Sequence, residues 1–136
     1  MSAVLALAVL TPLIASTPAF ATSRVHGAIE QGDGCTLART IKMGNAAIAR
    51  NGTHVHVSVN GGLPAGDNFV IQIWAGPTSS CFQVGSDSPT FSANAADYFQ
   101  ASATFSVPRR ITKFFVDVVD TTAFQDNETG YLRVLP

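Results

Sequence analysis

The sequence predicts an all-β fold, a two-sheet antiparallel β-sandwich of about seven strands, with a small barrel as the runner-up. Three observations carry that expectation. Apolar residues alternate with period two from residue 53 onward. Clusters of Gly, Pro, Asn and Asp punctuate the alternation at spacings of roughly 8 to 15 residues. No stretch after the first twenty residues carries the 3.6-residue apolar repeat of an amphipathic helix.

The chain opens on an uncharged apolar run from Ala3 to Ile14, followed by Pro18 and the small-residue triplet Ala19-Phe20-Ala21. An apolar core ending on an A-x-A site reads as a signal peptide over residues 1–21, although its first residues, Met1-Ser2, lack the usual positive charge. The run is shorter than the roughly 20 residues a membrane-spanning helix needs, and no later stretch approaches one. The expected product is therefore secreted, with residues 22–136 forming a single β-sandwich domain.

Residues 24–50 are the least regular part of that span, with strands expected around 36–42 and 46–50 and a turn at Gly32-Asp33-Gly34. In Thr53 to Val59, Val55, Val57 and Val59 share a core face while His54, His56 and Ser58 share the outer one. The glycines and proline of 60–67 turn the chain into Asn68–Ala75, a strand apolar on both faces and hence central. A shorter strand follows over 81–84. Residues 100–107 alternate Ala101, Ala103, Phe105 and Val107 with Ser102, Thr104 and Ser106. Lys113–Val119 places Phe114, Val116 and Val118 on one side and Phe115, Asp117 and Val119 on the other, and 130–135 supplies the last strand.

An immunoglobulin-like arrangement is the commonest sandwich of this length, but the Cys-Trp-Cys order of antibody domains is missing, since Trp74 sits just before the second cysteine. Cys35 and Cys81 are the only cysteines. In an oxidising compartment such an even pair predicts a disulfide, here tying the N-terminal segment to a strand end or loop, and worth roughly 4 kcal/mol through the entropy of the closed loop.

Two stretches carry a family resemblance. Asn51-Gly52-Thr53, leading through the valine strand to Gly62-Leu63-Pro64-Ala65-Gly66, is similar to a segment of the neocarzinostatin-type apoproteins. So is Ser92-Ala93-Asn94-Ala95-Ala96-Asp97, leading through an alternating strand to Val107-Pro108-Arg109-Arg110. The resemblance implies a small secreted immunoglobulin-like sandwich. That family holds a chromophore between its sheets and has two local disulfides; with one differently placed cysteine pair here, only the fold is carried over.

Charged residues make up 12% of the chain and the formal net charge is −1. A chain so sparsely and evenly charged offers no field to hold nucleic acid or an anionic membrane. His54 and His56, at i and i+2 on one strand face, are candidate metal ligands, with His26, Asp117 or Asp120 as possible completing groups. Asp120, Asp126, Asn127 and Glu128 form an acidic stretch with oxygen ligands for calcium but without the D-x-D-x-D-G spacing. Sequons occur at Asn51-Gly52-Thr53 and Asn127-Glu128-Thr129. No nucleophile motif is present, and Ser79, Ser80 and Ser86 lie in loops without a recognisable base.

Trp74, Phe82, Phe91, Tyr98, Phe99, Phe124 and Tyr131 either cap the core or form an exposed partner surface. Arg109-Arg110 with Lys113 reads as solvation of a strand end. The functional expectation is a non-enzymatic secreted module needing no cofactor, which binds an extracellular protein, glycan or small ligand through its loops or one exposed sheet face. The alternatives are a small hydrolase or metal-dependent enzyme using His54 and His56, and a cell-surface structural component.

Overall fold

The structure is a computed structural model and describes residues 22–36 and 38–136. The expected leader, 1–21, lies outside the described residues. Among the described residues ten strands form: β1 (Ser23–Gly32), β2 (Lys42–Asn51), β3 (His54–Gly62), β4 (Asn68–Ala75), β5 (Phe82–Gln83), β6 (Phe91–Ser92), β7 (Tyr98–Ser106), β8 (Lys113–Asp120), β9 (Gln125–Glu128) and β10 (Leu132–Arg133), with a 3₁₀ turn over Gly34–Thr36. The all-β expectation holds, and every strand pair is antiparallel.

The strands lie in one hydrogen-bonded path, β5-β4-β8-β9-β1-β2-β3-β7, with β6 added to β4 and β10 to β8. The sheet curls into half a barrel around a single core. Between its halves, β5-β4-β8 and β1-β2-β3-β7, the continuity rests on β9, which meets β1 at three residue pairs only, Glu30↔Glu128 to Gly32↔Asp126.

The alternating valines of β3 fill this core, as do Phe69, Ile71 and Ile73 of β4, Phe114, Val116 and Val118 of β8, and Phe99 and Phe105 of β7. Phe69 stacks tilted between Phe91 and Phe99, with ring centroids 5.6 and 4.9 Å away. Those two aromatics therefore belong to the core, while Phe82, Tyr98 and Phe124 are exposed.

The N-terminal segment departs from expectation. β1 runs over 23–32, where no strand was read, because Val25, Gly27 and Ile29 give only a weak alternation interrupted by glycine and alanine. No strand forms at 36–42: residues 38–41 are irregular, and Leu37 lies outside the described residues. β2 starts at Lys42 and extends through the expected 46–50 strand. The β2–β3 hairpin turns at Gly52-Thr53, where Gly52 adopts φ 64°, a left-handed conformation suited to glycine.

Gly44 and Gly61 face each other across β2 and β3. A Cβ on Gly61 would collide with the Met43 carbonyl, and one on Gly44 with the Asn60 carbonyl. These backbones approach closely because neither residue has a side chain. Gly61→Ala is expected to destabilise the fold by about 2 kcal/mol, as overpacking does, read as a lower midpoint in urea unfolding.

Strand β2 also buries an arginine. Alternation from Ala46 and Ile48 puts Arg50 on the core face, and it is 0% exposed. Its guanidinium donates to the carbonyls of Gly52 (2.8 Å), Val134 (2.9 Å), Pro108 (3.0 Å), Val107 (3.3 Å) and Ile111. One side chain thus gathers the β2–β3 turn, the 107–111 loop and the segment after β10. Burial, then the neighbouring Arg109, lowers its pKa from the ordinary value.

Candidate functional site

The three histidines share one surface. Directly opposed residues of antiparallel strands point to the same side, and the registers Arg24↔Ala49↔His56↔Thr104 and His26↔Ala47↔Ser58↔Ser102 run across β1, β2, β3 and β7. The outer face of this half therefore carries His26, His54 and His56 among Ala, Ser, Thr and Asn. His56 Nδ1 lies 3.1 Å from Thr104 Oγ1, and both residues are solvent-exposed. Asp117 and Asp120 stand in β8, in the other half of the sheet. No group of three His, Cys, Asp or Glu side chains among the described residues is placed to hold a metal ion.

A second assembly lies on the outer face of β4, β8 and β9. Trp74 opposes Phe115, Gln72 opposes Asp117, and Asp117 opposes Glu128. Of the acidic stretch, Asp126, Asn127 and Glu128 thus lie in strand β9, and Asp126 and Glu128 share a face with Asp117. Asp120 is separate: its carboxylate accepts the Thr122 and Ala123 amides and closes the β8–β9 turn. Asn127 is 3% exposed and its amide donates to the Val118 carbonyl at 3.1 Å. A glycan on that sequon would demand local unfolding, whereas Asn51 at the hairpin tip is exposed.

Two chain segments cover this acidic face. The 3₁₀ turn presents Cys35, the loop before β5 presents Cys81, and the two form a disulfide with Cα atoms 5.6 Å apart. The bond ties the N-terminal segment to the start of a strand, as the sequence led us to expect. Arg39 holds the covering loop to β1 through Glu30 at 2.9 Å.

Beneath the disulfide is a cavity of ≈ 150 Å³ lined by Gly34, Cys35, Trp74, Cys81, Phe115, Asp117 and Asp126. Burial first, then a hydrogen bond to Asp126 and the charges of Asp126 and Glu128, push the Asp117 carboxyl up to about 9. Burial, then the charges of Asp126 and Asp33, push Glu128 up to about 7, against the opposing pull of the Gly34 amide and Arg39. Glu128 is 0% exposed, and neither of its carboxyl oxygens has a hydrogen-bond partner of normal geometry. The sequence groups Asp126 and Glu128 in one acidic stretch but sets Asp117 apart, beside the histidines; the period-two phase that unites the three is hidden because β9 is only four residues long.

A third feature is a groove of ≈ 520 Å³ between the loop Gly85–Pro89 and the residues Ser102–Ser106 of β7. Among the described residues β7 ends the sheet path and pairs on one side only, with β3. The Val107 amide donates to Thr53, so in this register the pairs Val55↔Phe105 and Val57↔Ala103 carry the ladder bonds. The backbone groups of Ser102, Thr104 and Ser106 consequently point away from β3, into the groove. The facing loop is pinned to β4 by the Ser88 amide on the Ile71 carbonyl (3.0 Å) and the Ile71 amide on Ser88 Oγ (2.7 Å). Asp87 accepts the side-chain amides of Gln72 and Gln83 at 2.9 and 2.7 Å, which fixes the groove's far wall.

Together these features define an antiparallel all-β protein with a curled sheet, one unpaired long edge and a disulfide-covered acidic face. No family model, curated protein or solved structure matches the chain. No helix among the described residues is long and apolar enough to cross a membrane.

Proposed function

We propose that the chain is a secreted, non-enzymatic binding module that takes an extended peptide segment of a partner protein as an added strand along β7. The observation that carries this reading is the outward-facing backbone of Ser102, Thr104 and Ser106 beside an open groove. An unpaired edge is a template for another strand, and proteins that avoid such pairing protect the edge with Lys, Pro, bulges or a covering segment. Residues 98–106, Tyr-Phe-Gln-Ala-Ser-Ala-Thr-Phe-Ser, contain neither Pro nor any charged side chain. The facing loop is anchored to β4 instead of covering the edge. Only an extended backbone satisfies a row of alternating amides and carbonyls, which favours a peptide over a glycan.

On this reading the two halves of the sheet act as the layers of an immunoglobulin-like sandwich, with β9 as a narrow bridge between them. The cysteine pair fits an extracellular setting.

The test is selection from a short-peptide display library, followed by affinity measurement for the enriched peptide and its alternately N-methylated analogue. N-methylation is expected to weaken binding at least tenfold, because it deletes ladder donors on one edge. Thr104→Pro, which removes a groove-facing amide, and Thr104→Lys should weaken it comparably while leaving the urea midpoint near that of the parent chain. Enrichment of no peptide, or indifference to N-methylation, would overturn the assignment.

A further inference from the structure

We infer that the cavity beneath the Cys35–Cys81 disulfide is a site for a compact organic cation, a primary ammonium on a short alkyl stem, held between the Trp74 and Phe115 rings and the carboxyls of Asp117 and Asp126. This site lies on a different strand pair from the peptide groove and does not depend on it.

The first support is the chemistry of the walls. Trp74 and Phe115 are register partners on adjacent strands, and aromatic faces attract a desolvated cation while accommodating its alkyl stem. The Trp74 indole N–H is already committed to Gln72 Oε1 at 2.8 Å, which fixes the ring at the cavity wall. Phe115 is held from behind by an edge-on contact with Tyr131 at 5.3 Å. A cavity of ≈ 150 Å³ suits a small amine and not a polymer.

The second, independent support is Glu128. Its carboxyl packs over Gly32, outside the cavity lining but next to Asp126 and the Gly34 turn, which belong to that lining. It is fully buried, yet both oxygens lack a partner of normal geometry among the described residues. Leaving a buried acceptor unsatisfied costs about 1 to 3 kcal/mol, and more when it is charged. A cation beside Asp117 and Asp126 would supply the missing positive charge to the whole cluster.

The groups facing this cluster are Asp117 of β8, Asp126 and Glu128 of β9, Asp33 and Arg39 of the covering loop, Glu30 of β1, and Tyr131 just before β10. Arg39 is engaged with Glu30, so the acidic charges outnumber the cations near them. Raised carboxyl pKa values agree with an acidic site not yet compensated. A metal ion suits the arrangement less well, since no three ligating side chains among the described residues are placed to hold one and two walls are aromatic.

Trp74 is the only tryptophan of the chain, so its fluorescence reports on the cavity directly. The full disulfide-bonded protein, titrated with n-butylammonium chloride at about pH 8, where the raised carboxyls exchange protons, is expected to show a saturable change. Calorimetry in two buffers of different ionisation enthalpy should register proton release on binding, because a cation lowers the carboxyl pKa values. Asp117→Asn and Asp126→Asn should each weaken binding at least tenfold, and neutral n-butanol should give no saturable response. A lysine-bearing tripeptide that binds more tightly than n-butylammonium assigns the ammonium to a protein side chain; weaker or equal binding assigns it to a free amine. An equal response to n-butanol, the absence of saturation, or displacement by calcium chloride would overturn the site.

Discussion

Replacing Arg50 by methionine is expected to cost about 5 kcal/mol, comparable with the entire stability of a small domain. The guanidinium is fully buried and serves five backbone carbonyls from three separate stretches of chain. Methionine fills most of the space but donates nothing, so several buried acceptors lose their partner, at about 1 to 3 kcal/mol for each left unsatisfied. Arg50→Lys should also lose most of this stabilisation, because an ammonium has three donors and lacks the planar fork that reaches carbonyls on opposite sides. Equilibrium urea denaturation measures both changes. A loss below about 1 kcal/mol for the methionine variant would show that water replaces the guanidinium.

The second large effect is on pH dependence. Asp117 and Glu128 have folded-state pKa values raised to about 9 and about 7. A carboxyl whose pKa is raised on folding holds a proton that the unfolded chain releases near pH 4, and that difference stabilises the fold at low pH. The stability is fully present below about pH 4 and falls as pH climbs, first through the Glu128 range and then through that of Asp117. Each unit of displacement is worth about 1.4 kcal/mol before solvent screening, so the loss between mildly acidic and alkaline solution amounts to several kcal/mol. The chain is thus expected to tolerate acid and to lose midpoint from about pH 4 upward, most steeply up to about pH 7 while both groups contribute, and more gently from there to about pH 9 through Asp117 alone. Asp117→Asn, neutral at every pH, should flatten the alkaline limb, and a variant with the same slope as the parent would place the effect elsewhere.

The parts of this fold legible in the sequence are those whose side chains sort cleanly into inside and outside. The valines of β3, the phenylalanines and valines of β8 and the alternation of β7 each announce a face, and each lies as read. Strand β1 escaped because Gly27 and Ala28 dilute its pattern, and its pairing with β2 and β9 is settled by distant partners. Arg50 escaped for a different reason: its position in the alternation implies burial, but an arginine is ordinarily assigned to solvent, and only the convergence of five carbonyls makes burial tolerable.

Among functional residues, the cysteine pair was readable from compartment and number, and His54 and His56 from their common face. The joining of Asp117, Asp126 and Glu128 under the disulfide depends on strand pairing between β8 and β9. Local sequence does not encode that pairing, because a segment reading Gln-Asp-Asn-Glu has the composition of a turn. The open edge of β7 is likewise a property of topology, since any of the long strands could have been last in the sheet.

The narrow bridge at β9 also bears on the order in which the molecule assembles. β1, β2 and β3 are consecutive and form a meander from local hairpins, whereas the contact of Glu30 with Glu128 joins residues separated by most of the described chain. Bringing such remote segments together carries a high loop-closure entropy for a small return of three residue pairs. A chain emerging from its N-terminus can build the meander and enclose the Cys35–Cys81 loop before the last quarter of its sequence exists. It cannot seal the sheet until β9 arrives, so the amides of Glu30 and Gly32, which face β9 on either side of the Gln31 amide bonded to Ile41, are placed to gain protection from exchange last.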